Sequence, residues 1–173
     1  MSTAIVLLGI GVAIGLEIAA SPRASIRAPT ASGRVLRWLA STASLLLLVS
    51  SVLAVATTHE VIPATASALL VVLGGWLRAT AMRNLGPLFR TEAGAPELVT
   101  TGIHGVMRHP SELGFLTWVL GLLVAAPGTL ALVLALAQLP LLGLRLRIEE
   151  SDLARRFGAA WVRYAANTPP LGL

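Results

Sequence analysis

The stretch GIHGVMRHPSELG, Gly102 to Gly114, gathers two histidines, an arginine, a glutamate and a proline between apolar runs. Imidazole, guanidinium and carboxylate in one short segment can bind a charged ligand, move a proton or orient a nucleophile. A second concentration of charge lies in RLRIEESDLARRFGAAWVRY, Arg145 to Tyr164. There Glu150, Leu153, Phe157, Trp161 and Tyr164 recur at helical spacing on one face, while Asp152, Arg155, Arg156 and Arg163 take the other sides. A carboxylate on the apolar face of a helix is costly unless it has a partner. Glu150 is therefore expected to meet a cation, and Arg108 of the first stretch is the expected one. Glu149 points toward Arg145 and Arg156 and reads as their salt-bridge residue.

The elements that must bring these stretches together are hydrophobic. Of 173 residues, 55% are hydrophobic and 12% charged, against about 25% charged in ordinary soluble domains, and the mean hydropathy is +0.81. Five apolar runs span Thr3 to Ala20, Val35 to Thr58, Val61 to Leu77, Leu113 to Ala126 and Thr129 to Leu144. A perpendicular helix needs about 20 residues to span a bilayer, which the last two approach only as a tight hairpin turned at APGT. The expected fold is an all-α integral membrane bundle of about five transmembrane helices, followed by an amphipathic cytoplasmic helix. The N-terminal run has no positive charge in Met1 to Ile5 and ends at EIAASPR without a convincing small-x-small cleavage site, so it is expected to be retained.

Charge sets the expected orientation. The net charge of +5 rests on thirteen cationic side chains, all arginine, clustered around the first and third connections and after the last apolar run. The connections around His59 and Pro127 carry none. By the positive-inside rule the N-terminus is outside, while the C-terminus and both charged stretches are cytoplasmic, at a cell inner membrane. Arginines so placed anchor to headgroups, and no nucleic-acid partner is expected. With no cysteine there is no catalytic thiol, disulfide or thiolate metal site, and no metal is expected.

Other patterns carry less. GIGVAIG, Gly9 to Gly15, has no preceding strand and no βαβ context for a dinucleotide loop; Gly11 and Gly15 read as a small-residue helix-packing face. Glu17 reads as snorkelling to the headgroups, and His59 with Glu60 as a solvated outer loop.

LVTTGIHGVMRHPSELG, an apolar hairpin and then RIEESDLARRFGAAWVRY resemble the isoprenylcysteine carboxyl methyltransferase and phospholipid N-methyltransferase-like membrane enzymes. Gly102, Arg108, His109, Pro110 and Gly114 match the first family motif; Glu149, Glu150, Leu153, Phe157, Gly158 and Tyr164 match the second. The resemblance implies a single membrane domain over residues 1–173, with transmembrane helices in 1–82 and a cofactor-binding core in 98–170. It further implies S-adenosylmethionine as cofactor and methyl transfer to a lipophilic small-molecule or lipidated acceptor reached from the bilayer. Gly102, His104, His109, Pro110, Glu112, Gly114 and Glu149 would then surround the cofactor, with Arg108 and Glu150 as the catalytic pair that closes the pocket.

Three departures bear on the acceptor. His104 stands where the family has Tyr, Glu112 replaces the Tyr after RHPS, and Trp161 replaces the first C-terminal Tyr. The tail NTPPLGL also lacks the family's basic-proline ending. An amine acceptor would need a base, for which His104 or Glu112 would serve. Unless it is protonated or paired, Glu112 disfavours a carboxylate acceptor by like-charge repulsion, so a neutral or amine-type lipophilic acceptor, or a thiol, is expected. Two other classes are consistent with parts of the pattern: NADPH-dependent membrane sterol or steroid reductases, which carry a related RHPNY element lacking here in its Asn and Tyr, and a non-catalytic membrane binding protein.

Overall fold

The computed structural model describes residues 2–20, 46, 49, 61–86, 98–125 and 128–172. Among them there are helices and turns but no strand: α1 (Ser2–Ala20), α2 (Val61–Leu85), a 3-10 turn (Gly102–Gly105), α3 (Pro110–Ala125), α4 (Thr129–Phe157) and α5 (Ala159–Asn167). The second expected span, Val35 to Thr58, lies outside the described residues apart from Leu46 and Val49.

Helix α2 lies between α1 and α3 and packs against both. Small residues set the closeness of these crossings. A Cβ on Gly9 would stand 3.0 Å from Ala68 Cα, and one on Gly75 would stand 2.8 Å from Ala13 Cα. The α1 packing face is thus Gly9 and Ala13, with Val6 and Ile10 buried beside them. Among the described residues nothing lies within 4 Å of a Cβ on Gly11 or Gly15, so the small-residue face against α2 is Gly9 and Ala13 rather than the expected pair: spacing of four fixes the period of a face but not its phase. The α2–α3 crossing is closer still, since a Cβ on Gly114 would meet Gly74 O at 2.6 Å.

Helix α4 is one uninterrupted element of 29 residues that runs through Pro140. At about 1.5 Å per residue it is about 43 Å long, more than the ~30 Å hydrocarbon core. It therefore carries its acidic turn, Glu149 and Glu150, well past the expected end of the apolar run at Leu144. Ala131, Ala135, Gln138 and Leu142 form its buried stripe, and Leu130, Leu132, Val133, Leu136 and Leu139 are exposed. Helices α2 (from Ala64) and α4 are each long and apolar enough to cross a membrane by length and composition; the apolar stretches Ala4–Leu16 and Pro110–Ala125 are shorter.

The amphipathic helix expected to continue from Glu150 to Tyr164 is broken at Gly158. This residue has φ +51°, and its N–H closes on Ala154 O at 2.9 Å. A left-handed glycine after the last turn is a helix stop, so α4 ends at Phe157 and α5 begins in a new direction. That turn brings Trp161 and Tyr164 to the charged loop before α3.

Candidate active site

The loop before α3 is held by its backbone. Arg108 N–H donates to Pro169 O at 3.0 Å and His109 N–H to Pro170 O at 2.9 Å. Proline offers carbonyls without competing N–H groups, so the two-proline tail is a ready acceptor for two otherwise unpaired donors. His109 O then accepts from Glu112 and Leu113 N–H, and Pro110 opens α3, where its missing N–H costs nothing.

The side chains converge on one oxygen of α4. Arg108 Nη1 lies 2.9 Å and His109 Nε2 lies 3.1 Å from Glu150 Oε1. The Arg108 side chain is 13% exposed and that of Glu150 33%, and the guanidinium stacks 5.8 Å over the Trp161 ring. Charge-assisted bonds in a half-buried setting are stronger than the same bonds in water. The carboxylate expected to need a partner on the apolar face thus has two. Among the described residues Arg108 Nε is buried without a partner, and both bonds to Glu150 fall on Oε1, which leaves Oε2 for another donor.

A second cluster adjoins it. Asn84, at the end of α2, accepts from Ile103 N–H at 3.0 Å through Oδ1, and the same oxygen lies 3.2 Å from His104 Nδ1. Gly102 has φ +60°, and a Cβ there would collide with Asn84 Oδ1. Glycine is therefore required both by conformation and by the approach of Asn84. Tyr164 Oη donates to His104 O at 2.6 Å. Burial, then the charge of His109, lowers the His104 pKa below its ordinary 6.5. Burial raises that of Tyr164, opposed by Arg108, so near neutral pH the ring of His104 is uncharged and the phenol keeps its proton.

A third contact crosses the α3–α4 hairpin. The Glu112 side chain is 4% exposed and its Oε1 lies 3.0 Å from Arg145 Nη2, whose side chain is 52% exposed. This corrects the expected pairing of Arg145 with Glu149: Arg145 goes to Glu112, and Glu149 is exposed. It also removes the like-charge objection to a carboxylate acceptor, because Glu112 is paired. Gly114 is accounted for by the α2–α3 crossing. On the other side of that crossing Arg78 donates to Ser111 O at 3.3 Å and lies 5.7 Å from the Phe115 ring centroid.

Of the residues singled out in the sequence, Arg108, His109 and Glu150 form one cluster, Gly102 and His104 the adjoining one, and Glu112 the hairpin pair; Pro110 and Gly114 shape α3. Asn84, Arg145 as the partner of Glu112, and the carbonyls of Pro169 and Pro170 were not anticipated.

This set suits a zwitterionic, cationic ligand. Among the described residues it has a carboxylate oxygen, Glu150 Oε2, to which no donor is bonded, a buried guanidinium N–H, Arg108 Nε, without an acceptor, and an aromatic wall at Trp161. The profile of the Isoprenylcysteine carboxyl methyltransferase (ICMT) family matches residues 67–155, a segment that contains Asn84, the RHP loop, the hairpin pair and Glu150. The chain belongs to the isoprenylcysteine carboxyl methyltransferase family. Among curated family members it is 35% identical over 102 residues to the protein-S-isoprenylcysteine O-methyltransferase of Saccharomyces cerevisiae, covering 56% of this chain and 43% of that one. It is 35% identical over 107 residues to protein-S-isoprenylcysteine O-methyltransferase B of Arabidopsis thaliana, covering 58% and 54%. A Xenopus laevis protein-S-isoprenylcysteine O-methyltransferase is 31% identical over 107 residues, covering 58% and 37%. The matches thus extend over about half the length of these family members or less. No solved structure matches the chain. The family match ends before Tyr164, Pro169 and Pro170, so the elements that tie down the RHP loop lie beyond it.

Proposed function

We propose that this chain is an integral membrane methyltransferase that uses S-adenosylmethionine to esterify the carboxylate of a lipophilic, isoprenylcysteine-type acceptor. The observation that carries the reading is the convergence of Arg108 and His109 on Glu150 Oε1, at 2.9 and 3.1 Å, between two motifs of a family whose curated members are named for this reaction. Glu150, Arg108, His109 and His104 would hold the cofactor, with Glu149 at the rim. S-Adenosylmethionine, when bound, supplies an electrophilic methyl group on a sulfonium.

A carboxylate acceptor is already nucleophilic and needs no general base, so the residues of this chain have to align, neutralise and exclude water. The exposed portion of the Arg145 guanidinium, steadied by Glu112, is the cation available to a carboxylate at the α3–α4 hairpin. The exposed leucines of α4 would face lipid, from which a prenyl-type chain can approach. In this reading the bundle lies in the inner membrane with its N-terminus outside and the site at the cytoplasmic face, a reading supported by the one-sided distribution of arginines along the sequence.

The test is ligand binding by purified protein in detergent. S-Adenosylhomocysteine should raise the melting temperature in a concentration-dependent way, and NADPH should leave it unchanged. Stabilisation by NADPH alone would replace the methyltransferase reading with a reductase.

A further inference from the structure

We infer that Asn84 fixes His104 in the Nδ1–H tautomer and so leaves Nε2 as a bare acceptor that reads an N–H donor on the ligand of this site. The identity of that ligand rests on the methyltransferase reading; the tautomer does not.

Ile103 N–H can only donate, so the Asn84 atom 3.0 Å away is the carboxamide oxygen rather than the nitrogen. That same oxygen lies 3.2 Å from His104 Nδ1. A carboxamide oxygen only accepts, so Nδ1 carries the hydrogen. A neutral imidazole has one ring N–H, and Nε2 therefore keeps its lone pair. Burial and the charge of His109 both keep the ring in its neutral form. Among the described residues the titratable groups that bear on it are His109 on the same loop and Tyr164 on α5, whose hydroxyl bonds its carbonyl, while Asn84, the α2 group against the ring, is neutral.

The arrangement is rigid on every side. Tyr164 clamps the His104 carbonyl at 2.6 Å, Gly102 admits Asn84, and the residue is 6% exposed. No described residue bonds Nε2. A tyrosine, the family's residue here, both donates and accepts through its hydroxyl; a locked imidazole accepts only. It therefore selects an N–H group and rejects a ligand that presents a lone pair at the same point. S-Adenosylmethionine carries two such donors, the purine amino group and the amino-acid ammonium.

Ring-nitrogen chemical shifts of 15N-histidine-labelled protein in detergent test the tautomer directly. His104 should show a protonated Nδ1 and an unprotonated Nε2 at neutral pH, and Asn84→Leu should abolish that preference. A protonated Nε2 in the wild type, or a tautomer unchanged in Asn84→Leu, overturns the inference. Binding tests the reading of the ligand. S-Adenosylhomocysteine should bind His104→Phe about tenfold more weakly than wild type, the worth of one neutral hydrogen bond. Asn84→Asp keeps both accepted bonds but favours imidazolium, so its affinity should fall at low pH and recover as pH rises. If the donor is the purine amino group, S-inosylhomocysteine should bind wild type about tenfold more weakly and show no further loss in His104→Phe. If it is the ammonium, 5′-methylthioadenosine should behave in that way instead. Unchanged affinity in both His104→Phe and Asn84→Asp overturns the acceptor role. Should wild type bind no S-adenosylhomocysteine at all, the proposed function fails with it, and the ring shifts still decide the tautomer.

Discussion

Arg108 and Glu150, one in the loop before α3 and the other near the end of α4, meet at 2.9 Å, with His109 sharing the same carboxylate oxygen. The pair joins the two ends of the helical hairpin. Each single truncation, Arg108→Ala or Glu150→Ala, should weaken S-adenosylhomocysteine binding by roughly 1–3 kcal/mol, below the cost of breaking a fully buried pair because both groups retain some exposure. The double variant should cost less than the sum by about 1 kcal/mol or more. Arg155→Ala, whose partner Asp152 is on the exposed side of α4, should bind as wild type. Calorimetric titration of the four proteins measures this.

The Glu112–Arg145 pair predicts an asymmetry. Arg145→Ala leaves a buried carboxylate uncompensated and should destabilise the protein by roughly 2–3 kcal/mol. Glu112→Gln leaves only a solvent-reachable arginine and should cost less than about 1 kcal/mol. Melting temperatures of the two variants in one detergent should therefore fall in that order.

How far this was readable in advance depends on the residue. Glu150 was legible because a carboxylate on an apolar helix face demands a partner, and the Arg-His loop was the evident supply. The sharing of its Oε1 by His109 was not, since it depends on the Pro169 and Pro170 carbonyls holding the loop backbone. Asn84 was invisible, a lone polar residue at the end of an apolar helix with no spacing to announce it. Gly158 carried a stop signal, yet the periodicity of Leu153, Phe157, Trp161 and Tyr164 runs across it and suggested one helix. For Arg145 two acids were within reach, and only the packing of the hairpin selects Glu112 over Glu149.

The α2–α3 crossing gives a purely steric prediction. Gly114→Ala places a Cβ 2.6 Å from Gly74 O and 3.0 Å from Arg78 N, backbone atoms that cannot step aside. It should cost about 1–3 kcal/mol, whereas Gly143→Ala, with no described residue within 4 Å, should be neutral or slightly stabilising. Thermal denaturation distinguishes the two.

The lowered pKa of His104 sets a pH dependence of stability. Unfolded protein takes up a proton near the ordinary 6.5 while the folded ring resists it, so below that pH the unfolded state binds more protons and stability falls as pH falls. The contribution is fully present above 6.5. His104→Phe should flatten this part of the profile of melting temperature against pH, measured with the other two histidines intact.

The most direct test of the proposed chemistry follows the methyl group itself. Purified protein in lipid or detergent is incubated with S-adenosylmethionine labelled in its methyl group and with N-acetyl-S-farnesylcysteine, and label released as methanol by mild base is counted. A base-labile methyl ester should form, grow with time and fall at least about tenfold in Glu150→Ala, as for a lost charged contact. Folded wild-type protein that binds S-adenosylhomocysteine yet forms no such ester, or forms it equally well in Glu150→Ala, would contradict the proposed chemistry.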